Sequence, residues 1–254
     1  MKHLIKLLSV LFVLSFAQTA WAACVVNGTS YNTIGGSETK VTRAEMLSWA
    51  TGDVSTCDVT DSSLNDMSNL FDGKSSFNQD LSAWDTSSVT SMYRMFYNAT
   101  SLTSVTLPTT GSVTDMGQMF DGATSLTNVS LPTTGNVTSM FKMFYDTPNL
   151  TTVSLPETGA VTTMYKMFDS ATAIKSVSLP KTGAVTNMNR MFAGATSLTS
   201  VSLPTTGNVT DMYKMFDSAT AITSVTLPTT GNVTNMYKMF HGATNLTTVS
   251  LPET

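Results

Sequence analysis

One 24-residue motif dominates this chain and limits what it can fold into. The segment Val209–Asn232, VTDMYKMFDSATAITSVTLPTTGN, has copies opening at Val89, Val113, Val137, Val161, Val185 and Val233, and a degenerate copy opens at Leu64. Self-similarity at a fixed period of about 20–50 residues is the signature of a solenoid, in which each unit buries its apolar face only against its neighbours. Residues 161–184 and 209–232 agree at 19 of 24 positions, as duplication of whole units would leave them. A one-dimensional stack tolerates such duplication well.

Within a repeat, Met212, Met215, Phe216 and Ala219 stand at i, i+3, i+4 and i+7, which predicts one buried face of a short helix. Thr210 is placed to cap it, and Asp211 suits the positive end of its dipole. Ile222, Val225 and Leu227 then form L-x-x-V-x-L, with Ser224 and Thr226 alternating to the opposite face of a strand. Pro228 ends the strand, and Thr230-Gly231 supplies a turn in which Gly is free to take positive φ. The expected fold class is therefore an α/β repeat solenoid: a leucine-rich-repeat-like curved stack with one short parallel strand and one short helix per 24-residue repeat. Helices need about 8–10 Å between axes and strands about 4.8 Å, which predicts strands on the inside of the curve. Fourteen of the 17 Met occupy the two Met columns, and Phe follows the second Met in every regular copy. A Met-Phe stripe at this spacing reads as core.

Outside the repeats, the chain divides into 1–22, 23–63 and 64–254, the last holding about eight repeats with the final one incomplete. Lys2 and Lys6, the apolar run 7–16 and Ala20-Trp21-Ala22 predict a cleaved export signal. The run is too short to span a membrane, and the mature chain has no transmembrane segment. Removing the leader leaves 11 Lys+Arg against 17 Asp+Glu, a balance that argues against a nucleic-acid partner. Cys24 and Cys57 are the only cysteines, and an exported pair is expected to oxidise into a disulfide. Lipidation of Cys24 is the competing reading, but Trp21 stands where a lipid-attachment motif prefers an aliphatic residue, and Cys57 would be stranded. Thr42-Arg43-Ala44-Glu45 is a capping box ahead of Met46, Leu47 and Trp49, with Gly52 as the stop. This predicts one helix in an N-terminal cap, which a solenoid needs to cover its first repeat.

The degenerate copy is written differently. Phe77-Asn78-Gln79-Asp80-Leu81-Ser82, Trp84-Asp85-Thr86-Ser87, Val89-Thr90-Ser91-Met92 and Met95-Phe96 together resemble the surface-protein repeat of the BspA-like leucine-rich-repeat family, abundant in mycoplasmas and present in other bacteria. The later L-x-x-V-x-L-P and V-T-x-M-x-x-M-F segments are similar to that family's shorter repeat. The resemblance covers 64–254 and implies an extracellular solenoid with adhesive or ligand-binding duties and no catalytic residues. The departure is Met where relatives often carry Ile or another aliphatic residue.

Several motifs tempt a more specific reading. Leu107–Gly111 and its five later counterparts match L-P-x-T-G, the cell-wall sorting signal, but strand, break and turn account for every one of those residues. Asn-x-Ser/Thr at Asn136, Asn208 and Asn245 arises freely in a Thr-rich repeat. No paired carboxylates, phosphate loop or metal-ligand cluster stands out, and His241 occurs in one repeat only, so no enzyme, cofactor or metal is expected.

Function must then sit on the outward faces. One candidate is the strand face, with Ser104, Asn128, Thr152, Ser176, Ser200, Ser224 and Thr248 in one column and Thr106, Ser130, Ser154, Ser178, Ser202, Thr226 and Ser250 in the next. The other is the expected helix face, with Tyr93, Tyr165, Tyr213 and Tyr237 beside Lys166, Lys214 and Lys238; tyrosines lying flat over the joints between repeats would be structural instead. The expected role is adhesion to an extracellular protein or glycan by an exported, secreted or surface-displayed chain. Regular Ser/Thr columns also suit an ice or crystal surface, and a passive spacer is a third reading.

Overall fold

The computed structural model describes residues 24–31, 33, 39–179, 181–203 and 205–251. The expected leader over 1–22 lies outside the described residues. In the remainder each 24-residue repeat is one coil, and the coils pile up with their apolar columns in register. The cap comes first, with an antiparallel hairpin of β1 (Cys24–Val26) and β2 (Thr29–Tyr31) and the helix α1 (Arg43–Leu47). The coils then supply β3 (Ser104–Thr106), β4 (Asn128–Ser130), β5 (Thr152–Ser154), β6 (Ser176–Ser178), β7 (Ser200–Ser202), β8 (Ser224–Thr226) and β9 (Thr248–Ser250).

Strands β3 to β8 have the alternation expected from their sequence, while in β9 all three residues, Val249 included, are exposed. Ser224 and Thr226 are exposed while Val225 between them is buried. Neighbouring strands pair in parallel with a shift of one full repeat, Val225 opposite Val249 and Val105 opposite Val129. The pairing is not one continuous sheet. It forms three ladders, β3-β4-β5, β6-β7 and β8-β9.

The opposite wall corrects the expected helix. Met212, Met215, Phe216 and Ala219 are all fully buried, so the inward positions were identified properly. The segment that carries them is nevertheless a run of turns, and among the described residues the one α-helix is α1. Lys214 and Ser218 have φ of 52° and 61°, in the left-handed region that interrupts any right-handed helix. Backbone donors then alternate. Met215, Asp217 and Ala219 donate three residues back, to Met212, Lys214 and Phe216. Met212, Lys214, Phe216 and Ser218 donate instead to Asn235, Tyr237, Met239 and His241 of the next coil, at 2.7–3.0 Å. Turns that close over three residues bring i, i+3, i+4 and i+7 to one side just as a helix does, which is why the spacing misleads.

This turn wall is an uninterrupted ladder. Bridges run from Asp66 to Ser91 and on through Asp115, Ser139, Thr163, Asn187 and Asp211 to Asn235. Coil spacing is thus set by hydrogen bonds on both walls, and the bulk of helices, the reason given for the bend, is absent. Asp211 acts as a turn former rather than a dipole partner, since its Oδ1 accepts the Tyr213 N–H at 2.9 Å. Thr210 does not cap anything; its hydroxyl donates to the Thr186 carbonyl of the preceding coil at 3.2 Å.

Between the walls, Phe96, Phe120, Phe144, Phe168, Phe192, Phe216 and Phe240 form a column of near-parallel rings with centroids 5.3–5.7 Å apart. Coils about 4.8 Å apart would give that separation with slightly offset rings, a favoured aromatic geometry.

The cap closes the first coil by imitating the coil that is missing. The carbonyls of Asp66 and Ser68 occupy the places where later coils accept N–H groups from a preceding one. Arg43 supplies both donors, with Nε at 2.7 Å from the Asp66 oxygen and Nη2 at 2.5 Å from that of Ser68. Trp49 packs edge-on against Phe71 and Phe77, and the Trp84 indole donates to the Val54 carbonyl at 2.9 Å. The capping box is present: Thr42 Oγ1 accepts from Glu45 N, and the Glu45 carboxylate accepts from Thr42 N. Burial opposes ionisation of Glu45, but the Thr42 and Tyr31 hydrogen bonds outweigh it and hold its carboxyl low. Helix α1 stops at Leu47, earlier than Gly52 would suggest. Gly52 serves a close approach instead: at φ +106°, a Cβ there would sit 2.2 Å from the Val25 carbonyl oxygen. Cys24 and Cys57 are bonded to each other, with Cα atoms 4.7 Å apart.

Candidate binding faces

The coils carry several hydroxyl columns, and the structure separates those that hold the stack together from those that do not. The Thr of five of the six L-P-x-T-G segments is buried: Thr110, Thr134, Thr158, Thr182 and Thr206 each donate to a backbone carbonyl of the next coil, that of Thr133, Glu157, Lys181, Thr205 and Thr229, while Thr230 of the sixth is half-buried. Thr86 of the degenerate coil does the same toward Thr109. The sorting-signal resemblance is therefore a packing motif, its threonine sequestered. The following glycines keep negative or extended φ, so their expected positive-φ role is not used. A second column, Thr114, Thr138, Thr162, Thr186, Thr210 and Thr234, donates backward to the preceding coil at 3.1–3.3 Å. A third, Thr127, Thr151, Thr199 and Thr247, does so at 3.0–3.1 Å. Asn136 and Asn208, which open glycosylation-like triplets, spend their amides on Gly111 and Gly183 carbonyls.

The strand face differs. All fourteen candidate positions from Ser104 and Thr106 to Thr248 and Ser250 are exposed. Among the described residues, the one side-chain hydrogen bond in these two columns is from Asn128 to the adjacent Thr127 hydroxyl. Thirteen hydroxyls thus point outward with no partner among the described residues. Their spacing follows from the ladders, about 4.8 Å between coils and about 6.7 Å between alternate residues of a strand.

The tyrosines and lysines fall on the turn wall, not on helices. Tyr93, Tyr165 and Tyr213 are half-buried, Tyr237 is exposed, and their rings lie along the stack. Tyr213 stacks on Tyr237 at 5.7 Å, and Phe141 on Tyr165 at 5.5 Å. Where the column has Gly117 in place of an aromatic residue, Tyr93 leans across, its hydroxyl donating to Gln118 Oε1 at 2.8 Å. Lys166, Lys214 and Lys238 lie over the rings of Tyr165, Tyr213 and Tyr237 at 5.3–5.7 Å. These side chains cover the joints between coils and are largely occupied with one another.

Charge on this wall is likewise paired within the stack. Arg190 Nε meets buried Asp169 at 2.8 Å, and His241 Nδ1 lies 2.8 Å from Asp217, which Lys214 also reaches at 3.2 Å. Burial pushes the carboxyl of Asp121 up, against the Gln118 hydrogen bond and the Lys142 charge. Burial also works against ionisation of Asp217, but the bonds from His241 and Lys214 prevail and keep it low.

A feature absent from the sequence reading is a hollow of about 380 Å³ where the strand face meets the cap. It lies between Asn78-Gln79-Asp80 of the degenerate coil and Thr103, Ser104 and Thr106. The one clue was the extra residue and the Asp80 in place of Val in that copy.

The geometry agrees with a family profile that matches three overlapping windows, residues 40–153, 114–228 and 148–250, and so most of the chain. The family is described as "Mycoplasma protein of unknown function, DUF285". This chain belongs to it. Solved structures similar to this DUF285 chain include a leucine-rich repeat protein from Bacteroides ovatus ATCC 8483, at 22% identity and a TM-score of 0.48 over 65% of this chain and 40% of that one. Another is the TLR13–ssRNA13 complex, at 13% identity and a TM-score of 0.31 over 75% and 35% of the respective chains. A leucine-rich cell surface protein from Faecalibacterium prausnitzii A2-165 is similar at 16% identity and a TM-score of 0.27 over 68% and 67%. The DUF285 chain spans less than half the length of the first two. No curated protein matched it. Among the described residues, no helix is long and apolar enough to cross a membrane.

The distinction between spent and free hydroxyls can be tested directly. Thr158→Val should cost about 1–1.5 kcal/mol, because the bond from the buried Thr158 hydroxyl to the Lys181 carbonyl is lost. Ser154→Val, on the exposed face four residues away in the same coil, should stay within about 0.5 kcal/mol of the parent. Denaturant unfolding of the two variants side by side measures both, and equal losses would contradict the division of the columns.

Proposed function

We propose that this chain is an exported, surface-displayed binding protein rather than an enzyme, and that its strand face engages an extracellular protein or glycan. The observation that carries the reading is the pair of outward columns whose hydroxyls have no internal work, on a stack that spends its other hydroxyl columns on cohesion. No regular coil is chemically special, so affinity along the two columns is shared: weak contacts in register sum through multivalency. The turn wall is the weaker candidate because its tyrosines and lysines already pair with each other. The ice-surface reading draws on the same columns, but a crystal lattice favours one unbroken array, and the strand ladder is interrupted after β5 and after β7.

The test uses the full chain against arrayed glycans and extracellular matrix proteins. Replacing Ser200, Ser202, Ser224 and Thr226 by Lys should reduce binding at least about tenfold, while Ala at Tyr165, Tyr213 and Tyr237 should leave it nearly unchanged. The opposite ranking would move the site to the turn wall. Binding indifferent to both sets would leave the coils as a spacer, and thermal hysteresis in place of either would support the ice reading.

A further inference from the structure

We propose that the hollow at the cap end of the strand face is a saccharide subsite, one that takes a neutral sugar ring. The inference rests on the binding role of the strand face and adds the ligand class and the place of the most specific contact.

The hollow exists because the degenerate coil departs from the repeat. Phe77 takes the place of the strand leucine, one residue is inserted, and Asn78-Gln79-Asp80 forms no strand. Strand β3 therefore pairs with β4 on one side only, and a concavity replaces the strand that would lie on its other side. Its walls are fixed from behind. Gln79 clasps the cap, its Oε1 accepting from Val54 N and its Nε2 donating to the Gly52 carbonyl, both at 2.7 Å. Asn78 Oδ1 accepts from the Thr103 N–H and hydroxyl at 3.0 and 3.1 Å. Asp80 Oδ1 accepts from Ser82 N at 2.9 Å.

Those bonds leave a definite set of groups facing the space. Asn78 keeps its two amide hydrogens, Asp80 keeps Oδ2, and Ser104 and Thr106 keep both donor and acceptor capacity. Every lining side chain is polar, and the volume falls at the small end of the range for small-ligand sites. A peptide side chain would want an apolar lining, which is missing. A metal ion would want several carboxylates, and among the described residues no cluster of three possible ligands occurs. An anion would meet Asp80. Vicinal hydroxyls of a sugar, each donating and accepting, match a carboxylate, an amide and two hydroxyls set on rigid backbone.

The experiment is a titration of the ¹⁵N-labelled chain with glucose, galactose, mannose, fucose, xylose, N-acetylglucosamine and chitobiose, with trilysine as a cationic control. Saturable shifts should be confined to residues 78–82 and 103–106 for at least one sugar. Asp80→Asn retains the Ser82 contact and should weaken that binding about tenfold, as should Thr106→Val. The Lys substitutions at Ser200, Ser202, Ser224 and Thr226 should leave the sugar shifts intact, so a failure of the wider strand face is read separately. Silence across the sugars, shifts with trilysine alone, or shifts that survive Asp80→Asn would each overturn the proposal.

Discussion

Met215→Asp is expected to cost at least about 4 kcal/mol and to unravel the coils around it. The side chain is fully buried in the column that also holds Met191 and Met239, so truncation alone removes a packed thioether. A carboxylate placed in this buried apolar column must either be desolvated or take up a proton. The loss should therefore deepen as pH rises above the carboxylate range. Stack stability is a sum over neighbours, so damage spreads locally first. Hydrogen exchange should show protection lost over residues 209–251 while 89–136 stay protected. Tyr213→Ala, two residues earlier, removes a half-exposed ring stacked on Tyr237 and should cost about 1 kcal/mol. Comparable losses from the two would mean that the inward column had been misassigned.

The second large effect is expected at the other end. Reducing the Cys24–Cys57 bond, or Cys57→Ser, should destabilise the cap by roughly 4 kcal/mol on the chain-entropy model for a separation of 33 residues. The bond ties β1 to the segment that bears Val54, and Val54 is held in turn by Gln79 and Trp84 of the first coil. Protection in β1 and β2 should disappear first. The coils beyond Val113 should keep theirs, since their hydrogen bonds run to neighbouring coils and not to the cap. A single cooperative collapse of the whole chain on reduction would contradict that order.

The sequence disclosed the solenoid, its period, the inward columns and the phase of the strands, because each of those follows from repetition and from which residues are apolar. Met212, Met215, Phe216 and Ala219 were placed inward correctly and given the wrong backbone. Periodicity reports which side chains share a face, and two tight turns can satisfy the same spacing as a helix. The corrective signal was present in two other columns. Asn98, Gly122, Asp146, Ser170, Gly194, Ser218 and Gly242 all have positive φ, and all are residue types frequent in turns. Asp66, Ser91, Asp115, Thr163, Asn187, Asp211 and Asn235 each accept a backbone N–H two residues on through the side chain. Lys214 and its counterparts gave no warning, since nothing in a Lys side chain favours positive φ. The exposure of the strand-face hydroxyls was legible from alternation. The difference between them and the cohesive threonines was not, because it depends on which carbonyl of the next coil lies within reach. The hollow beside β3 was illegible for a similar reason: it arises from a strand that one coil fails to make.

The alternating N–H groups of the turn wall have a mechanical consequence. Bonds from Met212, Lys214, Phe216 and Ser218 point along the stack, as do those of the parallel strands. A pull on the two ends of the stack loads these bonds one coil at a time, not all together. Each coil that peels away releases 24 residues, about 80 Å of extended chain, in exchange for about 5 Å of height. A tether built this way lengthens many-fold under tension before its last coil opens, and the coils still folded keep their outward hydroxyls in register while it does.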